Sequence, residues 1–362
     1  MLPWLLTPFR DVLPGFSVFR YVTFRTALAA ATAMALSLLL GPWVIRTLTA
    51  LKMGQPIRGE GPENHQKKAG TPTMGGILIL TVITLSTLLW CDLKSGAIWV
   101  VLISLLGFGL VGAFDDAQKL VKKQNLGLNS WQKMGLLTLI SLVVAWLILH
   151  FGLRGAATSS LSVPFFKHFR PDVGILLIPW IWLVMVGTSN AVNLTDGLDG
   201  LAIGGVLIVS LTYAILAYVV GHAKIAAYLV VPYVAGGAEL SVFMGAMAGA
   251  SLGFLWFNAH PAEVFMGDTG ALGLGGALGT VAIIIKQEVL LVIAGGLFVL
   301  EAVSVILQVG SFKLRGGKRI FRMAPFHHHL ELGGLQETKV VIRLWITAIV
   351  CSILAISSLK LR

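Results

Sequence analysis

The chain has 362 residues, of which 56% are hydrophobic and only 12% charged, against about 45–50% and about 25% in soluble globular proteins. Too few charges remain to cover a soluble surface of this size, so the bilayer is the expected solvent. The net charge of +11 does not argue for nucleic acid, because Lys and Arg fall between apolar runs and form no basic stripe interleaved with aromatics. The two cysteines, Cys91 and Cys351, give no disulfide framework.

From the N-terminus, the first 23 residues hold Arg10, Asp11 and Arg20 but no compact apolar core with a small-residue cleavage site. The first span is therefore expected to be an uncleaved anchor. A spanning helix needs about 20 mostly apolar residues. Charge-free runs of that order lie at 26–45, 69–91, 95–114, 134–153, 173–195, 200–223 and 240–262. Runs 269–285 and 344–359 are slightly shorter, and 289–312 is interrupted only by Glu301. The expected fold is an all-α polytopic membrane protein of about ten transmembrane helices, one integral membrane domain over 1–362, with its active site on cytoplasmic loops. Residues 225–238, with Pro232, Gly236 and Gly237, read as a short or re-entrant segment outside the count.

Loop charge assigns the sides. The odd-numbered loops carry Arg46, Lys52, Arg58, Lys67, Lys68, Lys119, Lys122, Lys123, Lys133 and the basic run 313–322, more Lys and Arg than the even side. That places the odd loops in the cytoplasm and both termini outside. Every polar motif falls in or beside an odd loop, and an eleventh span at 225–238 would split them.

Lys67-Lys68, followed by Gly70-Thr-Pro-Thr-Met-Gly-Gly76, offers cations and hydroxyls ahead of the second span. Asp115-Asp116 ends the third span, where adjacent carboxylates repel unless a cation such as Mg²⁺ or Lys119 sits near. The run Asn190-Ala-Val-Asn-Leu-Thr-Asp-Gly-Leu-Asp-Gly200 holds more Asn, Asp and Gly than an ordinary turn needs. It suits directional hydrogen bonds to a polar ligand such as a nucleoside. Asp268, before a Gly-rich span, fits Mg²⁺, which takes one or two carboxylates plus phosphate oxygens and water. It also fits the N-cap of that span, and the two roles are compatible. Glu301 is an acid at membrane depth, either functional or bonded to a neighbouring helix. His327-His328-His329 cannot all face one ion. In an extended loop His327 and His329 would share a side, and phosphate hydrogen bonding is the better expectation than zinc. No Gly-x-x-x-x-Gly-Lys-[Ser/Thr] loop or Gly-x-Gly-x-x-Gly turn is present to hold a nucleotide. Gly273 to Gly279 reads as small-residue helix packing.

Together, GTPTMGG (70–76), the Asp pair (115–116), NAVNLTDGLDG (190–200), FMGD (265–268) and MAPFHHHLE (323–331) resemble the polyprenyl-phosphate N-acetylhexosamine-1-phosphate transferases. The likeness runs from the first span to the C-terminus. The last motif points away from the relatives that transfer N-acetylglucosamine-1-phosphate. The resemblance implies transfer of phospho-N-acetylmuramoyl-pentapeptide from UDP-MurNAc-pentapeptide to undecaprenyl phosphate with Mg²⁺, giving lipid I and UMP. It implies a bacterial cytoplasmic membrane, an active site facing the cytoplasm, and room for a homodimer. It assigns catalysis to Asp115, Asp116, Asp268 and His327, with Asp268 on the metal and His327 on phosphate. It assigns substrate binding to Lys68, Thr73, Asn190, Asn193, Asp196, Gly197, Leu198, Asp199, Asn258, Phe265, His328 and His329, with Asp196 to Asp199, Asn258 and Phe265 around the uridine. A transporter of lipid phosphate would instead need a charged path at midplane, where only Glu301 lies.

Overall fold

The computed structural model describes residues 14–51, 70–122, 127–152, 159–166 and 168–360. The chain folds into α1 (Val22–Ala50), α2 (Gly76–Trp90), α3 (Gly96–Lys122), α4 (Ser130–Leu147), α5 (Leu177–Thr195), α6 (Leu201–Gly221), α7 (Ala223–Leu229), α8 (Glu239–Asn258), α9 (Gly267–Ile284), α10 (Leu291–Ala294), α11 (Gly296–Leu314), α12 (Phe326–Glu331) and α13 (Glu337–Ser357). Among the described residues there is no strand, only an isolated bridge between Ser160 and Asp172. Among the described residues nine helices are long and apolar enough to cross a bilayer, and α2, with 15 residues, is a shorter apolar helix. The run 225–238 forms only the single short helix α7 followed by turns.

The late start of α2 has a visible cause. The Phe265 N–H donates to Pro72 O at 2.8 Å, Gly75 N–H to Phe265 O at 2.9 Å and Gly76 N–H to Met266 O at 2.8 Å. These bonds hold 72–76 against 265–266, so only Gly76 onward is free to coil. At 1.5 Å per residue α2 rises about 22 Å, yet it joins both ends of the bundle. Beyond its last residue the Arg25 guanidinium, at the start of α1, donates to Trp90 O at 3.2 Å and to Glu239 Oε2 at 2.7 Å. Asp92 N–H donates to the same carboxylate at 3.0 Å. The starts of α1 and α8 and the end of α2 thus meet at one end. The start of α2 and the ends of α3, α5 and α8 meet at the other, which carries the motifs.

Glycine sets the depth of packing. On α8, Gly245, Gly249 and Gly253 form one stripe against Thr26, Ala30 and Met34 to Ser37 of α1. On α9, Gly275 and Gly279 face Ser189 and Met185 of α5, while Gly273 and Gly276 face Leu105 and Phe108 of α3. A Cβ at these positions would drive into the neighbouring helix, so small residues let the backbones close up without water's help. As a result α9 is the central helix, with 94% of its apolar window buried. The outer faces carry exposed Leu39, Leu110, Phe114 and Leu139, as lipid contact requires. Exposed Trp43, Trp131 and Trp256 lie toward the motif-bearing end, the position of an interfacial aromatic belt.

Candidate active site

Asp115 and Asp116 lie near the C-terminal end of α3, where the helix dipole is negative and a carboxylate is disfavoured. Both are buried. The compensation comes from the start of α9 and from two lysines. Asp116 accepts the Asp268 N–H at 3.3 Å, and its Oδ2 accepts the Thr269 N–H at 2.9 Å and hydroxyl at 2.8 Å. Asp116, not Asp268, is therefore the carboxylate that caps α9. Gly267, at φ +73, permits this contact, since a Cβ there would lie 2.7 Å from Asp116 Oδ2.

Lys119 Nζ lies 2.6 Å from Asp115 Oδ2, 3.1 Å from Asp268 Oδ2 and 3.5 Å from Asp116 Oδ1. Lys133 Nζ lies 2.6 Å from Asp268 Oδ2 and 3.9 Å from Asp115 Oδ2. Carboxylate oxygens of Asp115, Asp116 and Asp268 all fall within 4.8 Å of one another. An all-oxygen set of this kind suits a hard divalent cation. Asp268 and the Oδ2 of Asp115 are the better donors, because they face lysine ammonium groups, whereas both oxygens of Asp116 accept backbone N–H groups.

The turn after α5 adjoins this cluster. Desolvation pushes the Asp196 carboxyl up to about 8, the negative charges of Asp268 and Asp116 add to the rise, and the Gly267 N–H opposes it. Asp199 is buried, and its Oδ2 meets His260 Nδ1 at 2.9 Å and the Ala262 N–H at 3.2 Å. The Asp199 N–H donates to Glu337 Oε1 at 3.1 Å. Asn258 bridges the same region, accepting the Gly200 N–H at 3.1 Å and donating to Val264 O at 2.8 Å. Asp199, His260 and Glu337 form a second group of metal-ligand type, but their mutual bonds already account for them as a brace between two loops and α13.

His327 is fully buried, and the histidine run lies on the short helix α12 and not in an extended loop. Its Nδ1 meets Glu301 Oε2 at 3.1 Å, and its backbone N–H donates to the same oxygen at 3.3 Å. The opposite ring edge packs on Gly197. His328 pairs with Glu331 at 2.9 Å, while His329 accepts the Arg322 N–H at 3.2 Å and lies among Phe321 and Phe326.

Of the other expected site residues, Thr73 is buried beside Gly267, and Phe265 is half-buried on the hairpin that pairs with Pro72 and Gly75. Asn193 is half-buried and its carbonyl accepts the Asp196 N–H at 3.2 Å. Asn190 donates back to Val186 O at 2.9 Å. Leu198 packs with Leu297, Val340 and Leu344 in a small apolar cluster. Lys68 lies outside the described residues. The fold thus gathers Asp115, Asp116, Asp268, Asp196, Gly197, Asp199, Asn258, Thr73 and His327 about one end of the bundle, and turns His329 toward aromatic neighbours.

Sequence reasoning passed over Lys133, His260 and Glu337. One signal for Lys133 was present. It stands in the first turns of α4, which Asn129 and Gln132 begin with a capping box, and a cation there opposes the positive end of the helix dipole.

The family profile described as Glycosyl transferase family 4 matches residues 98–286. The pattern described as Phospho-N-acetylmuramoyl-pentapeptide-transferase signature 1 matches residues 68–80. The chain is 56% identical over 362 residues to the phospho-N-acetylmuramoyl-pentapeptide-transferase of Citrifermentans bemidjiense, covering 100% of both chains. It is 55% identical to the protein of that name from Geobacter sp. strain M21 and 53% identical to that from Syntrophus aciditrophicus, again over 100% of each.

Proposed function

The chain belongs to glycosyl transferase family 4, alongside the phospho-N-acetylmuramoyl-pentapeptide-transferases, and from that premise we propose that it makes lipid I. It transfers phospho-N-acetylmuramoyl-pentapeptide from UDP-MurNAc-pentapeptide to undecaprenyl phosphate and releases UMP. The observation that carries the reading is the meeting of Asp115, Asp116 and Asp268 with the Asp196–Asp199 turn and His327, all at one end of a membrane bundle.

The reaction joins an oxygen of the lipid phosphate to the β-phosphorus of the UDP-sugar and breaks the bond to UMP. A phosphate monoester has a second pKa near 6, so the acceptor is mostly dianionic at pH 7 and the exchange needs no net proton transfer. Mg²⁺, held by Asp268 with Asp115, would supply neutralisation of the diphosphate and of the departing UMP. Asp116 fixes the start of α9 and so aims Asp268. Lys119 and Lys133 keep the acids at contact distance and add positive charge beside the phosphates. The Asp196–Asp199 turn, braced by Asn258, holds the nucleoside, and His327 addresses phosphate.

A cavity of about 620 Å³ runs along α11, with Val305, Val309 and Phe312 on its wall and Lys313 and Arg319 beside them. Met323 and Ala324 also line it and lead directly to His327. Apolar walls with adjacent cations suit a lipid phosphate. The basic excess of the odd-numbered loops supports a cytoplasmic site in the bacterial inner membrane.

The test is UMP release by purified protein given undecaprenyl phosphate and either UDP-MurNAc-pentapeptide or UDP-N-acetylglucosamine. Release is expected with the first sugar alone. Equal or preferential use of the second would assign the chain to the sister activity.

A further inference from the structure

We propose that Glu301 is a positioning residue that holds His327 with its Nε2 edge toward the Gly197 turn, where it donates to a phosphate oxygen of the nucleotide-sugar; this rests on the function proposed above. Glu301 lies within α11, a helix apolar enough to span the bilayer, and has no exposed surface. A carboxylate at that depth is costly unless paired. Its Oε2 meets a single residue twice, accepting the backbone N–H of His327 at 3.3 Å and lying 3.1 Å from Nδ1 of the same ring. Two bonds from one oxygen fix both the place of the histidine on α12 and the rotation of its ring. With Nδ1 turned to the carboxylate, Nε2 is left as the working edge.

That edge is buried and makes no hydrogen bond among the described residues. A buried polar atom without a partner calls for an explanation. Gly197 supplies one. A Cβ built there would collide with Nε2 and lie 2.8 Å from Cε1, so the absence of a side chain keeps the ring edge open to the turn already assigned to the nucleotide. An Nε2–H at that edge makes a charge-assisted bond to an anionic oxygen.

The test compares wild type, Glu301→Gln and Glu301→Asp as full-length purified proteins. For Glu301→Gln, kcat/KM for UDP-MurNAc-pentapeptide should fall about ten- to a hundredfold, with KM for undecaprenyl phosphate unchanged. Calorimetric binding of the nucleotide-sugar should weaken likewise. Glu301→Asp should recover part of each effect. Gly197→Ala, which alters no residue of α11, should reproduce the loss of binding and tests the idea if Glu301→Gln does not fold. Wild-type kcat/KM in folded Glu301→Gln, or wild-type binding by Gly197→Ala, would overturn the inference. A wild-type protein that neither binds nor consumes the nucleotide-sugar would instead refute the proposed function itself.

Discussion

At Asp115, Oδ1 accepts the Leu128 N–H at 2.9 Å and Oδ2 pairs with Lys119, so neither oxygen is presented as a free nucleophile. Direct attack by the lipid phosphate follows more naturally than a covalent aspartyl intermediate. Wild-type enzyme mixed with UDP-MurNAc-pentapeptide but no lipid should give no burst of UMP. A burst stoichiometric with enzyme, absent in Asp115→Asn, would reverse that order of steps. If Asp115 serves as base to the lipid phosphate, activity of Asp115→Asn should partly recover between about pH 6 and pH 9, where the acceptor loses its second proton by itself. Asp268→Ala should lower turnover on the order of a hundredfold or more and flatten the Mg²⁺ dependence measured by UMP release. Asp268 was legible because acids are scarce, with 16 in the chain. Glu301 was not, since a mid-span acid looks the same in sequence whether it serves a ligand or a neighbouring residue. Lys133 looked like one more cytoplasmic cation, because its partner Asp268 is 135 positions away and only packing joins them.

Among the elements, apolar runs located the spanning helices, but their ends were set by partners the runs do not show. Helix α2 starts at Gly76 because main-chain bonds claim 72–75, and the expected run 289–312 divides at Gly295 into α10 and α11. The histidine run was expected to be extended, although Pro325, immediately before Phe326, is a fair helix-start signal. At the far end, the Arg25–Glu239 pair ties α1, α2 and α8 together. Removing one partner should leave an uncompensated buried charge and destabilise by about 3–5 kcal/mol. Thermal unfolding in detergent should show Arg25→Ala well below wild type, and Arg25→Met with Glu239→Leu closer to it. Glu288, in the turn between α9 and α10, is pushed up to about 7 by burial, against the opposing effects of its own N–H, Lys286 and Trp180. Its folded form therefore keeps a proton that the unfolded chain gives up near 4.5. Stability should fall as pH rises from about 4.5 to about 7, and Glu288→Gln should remove that part of the slope in melting temperature against pH.

For the whole molecule, the alternation of helix direction puts the end of α3 and the turn between α2 and α3 on opposite faces. A cysteine at Lys122 should react only with reagents that reach the cytoplasm, and one at Lys94 with impermeant reagents applied outside, after subtraction of any signal from Cys91 and Cys351. Labelling of both from one side would reject the arrangement. The one-sided gathering of motifs was legible from loop charge alone, whereas their order around the site was not, because helix neighbours such as α9 between α3 and α5 are chosen by glycine contacts. The bonds of Pro72, Gly75 and Gly76 with Phe265 and Met266 have a consequence for inheritance. They run between main-chain atoms, so exchange of side chains at 265 or 266 leaves them standing. Descendants of this chain can revise what the pocket prefers while its floor is passed on unchanged. Proline is the substitution that lineage cannot accept at 75, 76 or 265, since it deletes the N–H that each stitch requires.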